Sequence, residues 1–499
     1  MRGDSLKKRY GIKLTSALFN AVLNAVLIAI VPKALGPAAY GHFVYLQDFF
    51  LKIIGFFDMG TSTAFFTKLS ARPGRKELLS FYFLYSAGIL ILITSALLLL
   101  EHVGYVSYFL PAIPTEYIYL GLLFAFMTWL TQVFIKISDA YALTVSIELI
   151  KIVHKIFSVT VLFFLIYQTA FDLHSYFYFN LIVMAVFFLI LSWLFVRANI
   201  FDTSLFNRSL DFAHMGKEFI EYCHPLVLYT IVGIGVGLFD IWLLQTVAGS
   251  EQTGFYGLAY GIAAMCFIFT GAMTPLITRE FSLAFEHRDL VKMRHLFSRY
   301  VPMLYTVSSF FSVFIAIQSE NVLSIFADEH FREAALGLLI IAFYPIHQTY
   351  GQLSSSVFYA TEKTKLLRNI AYFHQPLGMA LSIIFVYFME WGAAGLALKM
   401  VVGQIIGVNI QLYFNAKFLK LDLKYFLGHQ IYALVILGIF AFIASSIIPP
   451  MPPLYEFLAS GVLYALFVMI YVYLFPNIVA IKKTEMNVIL HRSLKYLKR

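Results

Sequence analysis

The chain has 499 residues, of which 61% are hydrophobic and only 13% charged, with a net charge of +9. A soluble chain of this length carries about twice that charged fraction, so this composition and a mean hydropathy of +0.81 exclude a soluble globular domain. The positive balance does not signify nucleic acid, because the basic residues sit in short connectors beside long apolar runs, where anionic lipid headgroups are the natural partner.

The N-terminus is basic (Arg2, Lys7, Lys8, Arg9, Lys13) and leads into an apolar run at 12–32. That run is long enough to span a bilayer and reads as a retained first helix, not a removable signal. Further runs follow at 41–66, 79–100, 117–135, 152–171, 176–196, 222–246, 255–278, 301–319, 334–358, 369–389, 393–414, 430–448 and 454–475. Each is about 20 residues, the length a helix needs to cross ~30 Å of hydrocarbon. Of the 36 Lys and Arg, 30 fall in the tails and in alternate connectors, and Lys13 and Lys155 lie at the edges of the runs that these flank. Lys33 and Arg332 lie in the opposite set, and Lys52 and Lys399 lie inside apolar runs. Cationic loops remain on the cytoplasmic side during insertion. The expected fold is therefore an all-α integral membrane protein of about fourteen transmembrane helices, with N- and C-termini cytoplasmic.

The outer connectors are short, the longest being 101–116 and 319–333, and PPMPP at 449–453 cannot continue a helix. Whatever the chain does, it does within the membrane. Two cysteines, Cys223 and Cys266, make neither a disulfide framework nor a structural zinc site, and no metal site is expected. No GxxxxGK[ST] loop occurs, so ATP is not the direct energy source.

An internal repeat is visible. LGPAAYGHFVYLQ at 35–47 and AGSEQTGFYGLAYG at 248–261 follow the first and seventh runs, with Gly36 aligned to Gly249 and Gly41 to Gly254 at an offset of 213. Pro37 suits a helix start, and Gly41 suits a close helix approach. Each motif joins the first and second helices of a six-helix unit. The expected domains are an N-terminal six-helix lobe at 1–215, a C-terminal lobe at 216–425, and two extra helices with a basic tail at 426–499.

These loop motifs, together with MTPLITREFSLAFEHRD at 273–289 and KISDAYALTVSIELIKIVHK at 136–155, resemble the polysaccharide transporter family. That family includes the flippases of lipid-linked O-antigen and other polysaccharide repeat units. It belongs to the multidrug/oligosaccharidyl-lipid/polysaccharide exporter superfamily. The resemblance covers the first twelve runs, and the last two look like the extra pair of fourteen-helix members. It implies two pseudo-symmetric six-helix lobes around a central cavity that opens alternately to each side of a bacterial inner membrane. It implies an undecaprenyl-diphosphate-linked glycan as cargo, and a polysaccharide polymerase and other assembly proteins as partners.

Ionisable residues inside apolar runs are costly and face a cavity or a partner. In the second run Asp48 and Lys52 are four apart on one face, either an ion pair holding helices together or a contact for the glycan or diphosphate. Asp58 sits near the cytoplasmic end of the same run, at headgroup level or in ion coupling. Asp240 follows Gly233, Gly235 and Gly237 and has no basic residue nearby in sequence, so it is the stronger candidate for H+ or Na+ coupling; a buried hydrogen-bonded carboxylate is its alternative. Lys399 either snorkels outward or meets an anionic cargo group. Lys13, Asn20 and Asn24 share one face, and their amides suit either sugar hydroxyls or neighbouring helices. In YPIHQTYGQLSSS at 344–356, Pro345 predicts a kink beside which His347, Gln348, Tyr350 and Gln352 line a pathway or bond adjacent helices.

The leading reading is a flippase moving lipid-linked oligosaccharide from the cytoplasmic to the periplasmic leaflet, with no cofactor beyond a coupling ion. A multidrug or cation exporter of the same superfamily is the alternative. A membrane polysaccharide polymerase is disfavoured, because the connectors hold no convincing carboxylate dyad; Glu329 and Glu333 read as a solvated face. The chain is read as a transporter, with no catalytic residue assigned.

Overall fold

The computed structural model describes residues 6–168, 170–202 and 211–486. Arg2 and the last basic residues of the C-terminal tail lie outside them. Among the described residues all regular structure is helical. The helices are α1 (Leu6–Asp58), α2 (Thr61–Ala71), α3 (Glu77–Val103), α4 (Val106–Phe109), α5 (Thr115–Ala140), α6 (Thr144–Gln168), α7 (Leu173–Arg197) and α8 (Phe212–Ala264). They continue as α9 (Phe267–Glu286), α10 (Leu290–Ile317), α11 (Ser319–Phe326), α12 (Ala334–Ile341), α13 (Tyr344–Ala360), α14 (Thr364–Ser382), α15 (Gly392–Leu419), α16 (Leu423–Ile447) and α17 (Pro453–Leu474).

Helix is the natural state for these sequences, because hydrocarbon offers no partner for a free backbone N–H or C=O. Eleven of the described helices are long and apolar enough to cross a membrane, so the protein is a multi-pass membrane protein. Their apolar side chains point largely outward. In α3 only 22% of the most apolar window is buried, and Ile91, Leu92, Leu98 and Leu99 are exposed. In water such a surface would aggregate; in a bilayer it is the solvated face.

The fourteen sequence segments fall largely on helical chain, but they do not make fourteen separate long helices. The first and most of the second are joined in α1, and the seventh and the start of the eighth in α8, with only one residue interrupting each pair; the eighth continues in α9. The tenth is divided between α12 and α13, each too short to cross alone. The predicted Pro345 kink is this break: Pro345 occupies the first turn of α13, where its missing N–H leaves no bond unmade.

The interrupting residues are Gly36 (φ 74°, ψ 167°) and Gly249 (φ 83°, ψ −177°). Both occupy a region open essentially to glycine alone. Aspartates begin several other helices. Asp172 caps α7 through Ser175 N at 2.8 Å, and Asp289 caps α10 through Lys292 N at 2.8 Å.

By packing, the chain divides into two compact units, Met1–Gly254 and Phe255–Arg499. In the first, α1 packs on α5 and α6, and α5 on α7. An aromatic cluster that includes Phe65, Tyr82, Phe134 and Phe195 fills part of this unit. In the second, α13 packs on α9 and α15, and α10 on α9 and α16, around Phe281, Phe297, Tyr305 and Phe314.

Within the first unit the two repeat motifs cross at backbone contact. A Cβ on Gly41 would lie 1.7 Å from the carbonyl oxygen of Ser250, and one on Gly254 would lie 2.3 Å from that of Pro37. The contact is reciprocal, since Pro37 and Ser250 are themselves related by the repeat offset. Gly41→Ala and Gly254→Ala are each expected to destabilise the protein by at least about 1–3 kcal/mol, since the obstacle is backbone and cannot swing aside. Gly88→Ala in α3, with nothing within 4 Å of the added carbon, should be neutral or slightly stabilising. Thermal unfolding of the three detergent-purified variants checks both statements.

Candidate functional site

The second half of α1, residues 37–58, brings Asp48 and Lys52 together as the sequence spacing predicts. The Lys52 ammonium is hydrogen-bonded to Asp48 Oδ2 and also donates to the carbonyl of Gly237 at 2.9 Å. A Cβ on Gly237 would stand 2.9 Å from Lys52 Cε, so a larger residue there would displace the end of that side chain. Both side chains are only partly buried, so the pair keeps an accessible face. Asp240, one turn further along α8, is buried and engaged in interactions of its own.

Toward one end of this helix pair, three side chains hold the backbone of the 104–114 loop. Tyr45 Oη donates to the carbonyl of Phe109 at 2.6 Å, Trp242 Nε1 to that of Tyr108 at 2.8 Å, and Gln245 Nε2 to that of Pro111 at 3.2 Å.

Toward the other end, Asp58 closes the turn between α1 and α2. It accepts from Thr61 Oγ1 and Ser62 N, each at 2.9 Å, from Ser62 Oγ at 2.8 Å and from Tyr82 Oη at 3.1 Å. Lys136 Nζ donates to Ser62 Oγ at 2.7 Å. Asp58 thus serves as the acceptor at the centre of a cap. Beyond it Lys68 Nζ meets Glu218 Oε1 at 2.8 Å, and Arg75 reaches Glu218 Oε2 at 3.4 Å. The hydrogen bond from Lys68 holds the Glu218 carboxyl below its usual range, with both cations adding attraction.

A polar cluster escaped the sequence reading. Glu148 of α6 is 3% exposed; it accepts from Ser16 Oγ at 2.5 Å and pairs with Lys151 at 3.0 Å. Asn20 donates to the Ser16 carbonyl at 2.8 Å, one turn back in the same helix α1. Asn24 is exposed, and the side chain of Lys13 lies outside the described residues. The one available signal for Glu148 was its i, i+3 spacing to Lys151 in an otherwise apolar stretch.

In the second unit His347 is buried, with its ring 5.8 Å from that of Tyr305. Its Nδ1 and the hydroxyls of Tyr305, Ser308 and Ser309 have no hydrogen-bond partner among the described residues. Gln348 accepts from Gln404 Nε2 at 2.6 Å, tying α13 to α15. Lys399 is buried in α15 and is engaged in interactions. Its Cε lies 3.3 Å from the position a Cβ would take on Gly378 of α14. Both membrane-embedded lysines therefore lay their methylene stems against a glycine of a neighbouring helix.

No family model matches the chain, and no curated protein matches it. Solved structures do. One, titled "Lipid II flippase MurJ, inward closed conformation", superposes with a TM-score of 0.68 at 15% identity, over 92% of this chain and 99% of that one. A multidrug resistance MATE family transporter of the MOP superfamily, inward-facing, gives 0.64 at 17% identity, over 81% and 94%. A MOP superfamily transporter from Pyrococcus furiosus, described as having a binding pocket of reverse polarity, gives 0.52 at 17% identity, over 83% and 93%. The fold is that of the MOP-superfamily transporters. At these identities the likeness establishes the fold alone.

A carboxyl whose pKa is lower in the folded chain stabilises the fold above its unfolded value, and the contribution is lost as pH falls through the folded value. The ordinary value for Glu218 is 4.5. Wild type is expected to be more heat-stable than Glu218→Gln near neutral pH, and the gap should close as pH drops below that value. Thermal midpoints taken across pH 3–7, about the carboxylate range and above, measure it.

Proposed function

We propose that this protein is a membrane flippase for an anionic lipid-linked glycan, carrying an undecaprenyl-diphosphate-linked repeat unit from the cytoplasmic to the periplasmic leaflet of a bacterial inner membrane by alternating access. In this reading the chain crosses the membrane fourteen times and both termini are cytoplasmic. The observation that carries the reading is Lys52, a partly buried lysine inside an apolar segment, held by Asp48 and the Gly237 carbonyl. Asp48 keeps the unloaded site neutral, which lowers the cost of a cation in hydrocarbon. An arriving diphosphate competes with Asp48 for the ammonium. Lys399 supplies a second positive charge within the apolar chain. Asp240 is the proposed ion-coupling group, and Asn20 and Asn24 flank the proposed cargo route. The likeness of fold to a lipid II flippase supports the class of cargo.

The likeness to multidrug transporters favours a second reading, a cation exporter. The two readings differ in what the lysines do. For an anionic cargo, Lys52→Gln is expected to cut flux at least about tenfold, ~1.4 kcal/mol. Gly237→Ala should act in the same direction by pushing Lys52 off its seat. A cation exporter would keep or gain activity in Lys52→Gln.

The direct experiment deletes the gene in its native host and measures the lipid-linked glycan pool and the surface polymer together. A flippase predicts lost surface polymer with accumulation of a single lipid-linked repeat unit. An unchanged pool, with altered resistance to cationic drugs, would replace this reading with the exporter.

A further inference from the structure

A buried polar seam runs through the second unit where α10 packs on α13. Tyr305, Ser308 and Ser309 stand at i, i+3 and i+4 on α10 and so share one face. Each is 0% exposed, and His347 of α13 is 4% exposed. The Tyr305 ring stands 5.8 Å from that of His347, 5.6 Å from that of Tyr350 and 6.3 Å from that of His429. Other buried polar atoms of this unit find direct partners. Thr306 Oγ1 donates to the carbonyl of Ile478 at 2.6 Å, His429 Nε2 donates to the same carbonyl at 2.8 Å, and Tyr464 Oη donates to that of Phe310 at 3.0 Å. The three α10 hydroxyls and His347 Nδ1 find none among the described residues, and they lie together. A buried polar group without a partner has given up its hydration for nothing, so four in one place ask for a shared ligand.

The seam lies beside two interrupted helices. Helix α8 stops at Ala264 before α9 starts at Phe267, and α12 stops at Ile341 before α13 starts at Tyr344. Thr349 bonds Thr270 at 2.9 Å and Thr278 bonds Ser356 at 2.7 Å, so α9 and α13 run parallel with nearly equal advance. Counting back from the Thr270–Thr349 bond, the two interruptions fall within about 3 Å of one depth. His347 is one turn past Phe343. Helix ends leave carbonyls without intrahelical partners, and apolar surroundings tolerate them where side chains or ordered water meet them.

We propose that this seam is a binding site for a small cluster of water, which bridges the hydroxyls of Tyr305, Ser308 and Ser309 to His347 Nδ1. A buried water needs two to four polar partners, and these groups supply them. Water donates and accepts, which matches hydroxyls that do both and a ring nitrogen whose role follows its tautomer. A cation would find no carboxylate among the four groups, and an apolar guest would leave all four unbonded. The site is internal to one unit, so its occupancy is independent of the cargo the protein moves.

The test is millisecond X-ray radiolysis of the full-length protein in nanodiscs, with oxidised side chains mapped by mass spectrometry. Radiolysis turns bound water into hydroxyl radicals that attack the side chains it touches. Tyr305 and His347 should oxidise several-fold faster than Tyr464, which is as deeply buried but bonded directly to protein. Ser308→Ala should slow the oxidation of both. Ser308→Ala and Tyr305→Phe should each lower the thermal midpoint, because each takes a partner from the water. A dry seam predicts the opposite sign, since deleting an unbonded buried hydroxyl removes its desolvation cost. Oxidation of Tyr305 and His347 no faster than that of Tyr464, or a midpoint raised by either substitution, would overturn the proposal.

Discussion

The first unit is organised by one contact, the crossing of Gly41 with Gly254. Each glycine faces the other motif's backbone, so the helices meet as closely as main chains can. The left-handed residues Gly36 and Gly249 set the angles at which the chain enters that crossing. From there the two helices run alongside each other. Eleven residues beyond Gly41, about 16 Å at the helical rise, Lys52 comes within reach of the Gly237 carbonyl. The ion pair and its contact with Gly237 lie along that alignment.

Hydrocarbon also dictates how charge is kept in this protein. Glu148, Asp58 and Lys52 each have specific partners on another helix or on the turn they cap. Uncompensated, any of them would cost several kcal/mol. Lys52 differs from the other two because its partners are one carbonyl and one partly exposed carboxylate. That is a weaker hold than the four donors around Asp58, and a site that must exchange partners needs such a hold.

The sequence makes the helices and the two interruptions plain, since hydropathy and glycine position report them directly. It also makes the Asp48–Lys52 pair plain, because helical spacing alone brings the two together. It says little about contacts made across long separations. Ser16 and Glu148 are 132 positions apart, and charged residues at 148 and 151 depress local hydropathy, so the apolar run was started only at 152. The role of Asp58 as a cap is hidden because three of its four donors lie in α2, which sequence hydropathy fuses with the preceding helix. The count of long helices fell to eleven because one-residue breaks and the short α12 and α13 do not resemble separate spans.

The loop at 104–114 carries one more consequence. Its backbone carbonyls are gripped by Tyr45, Trp242 and Gln245, while its Tyr105 and Tyr108 side chains stay exposed. A short connector built around α4 is thereby given a fixed surface. An antibody fragment raised against it would meet a pre-formed epitope rather than a flexible peptide, and would recognise the folded protein without recognising the same eleven residues as a free peptide.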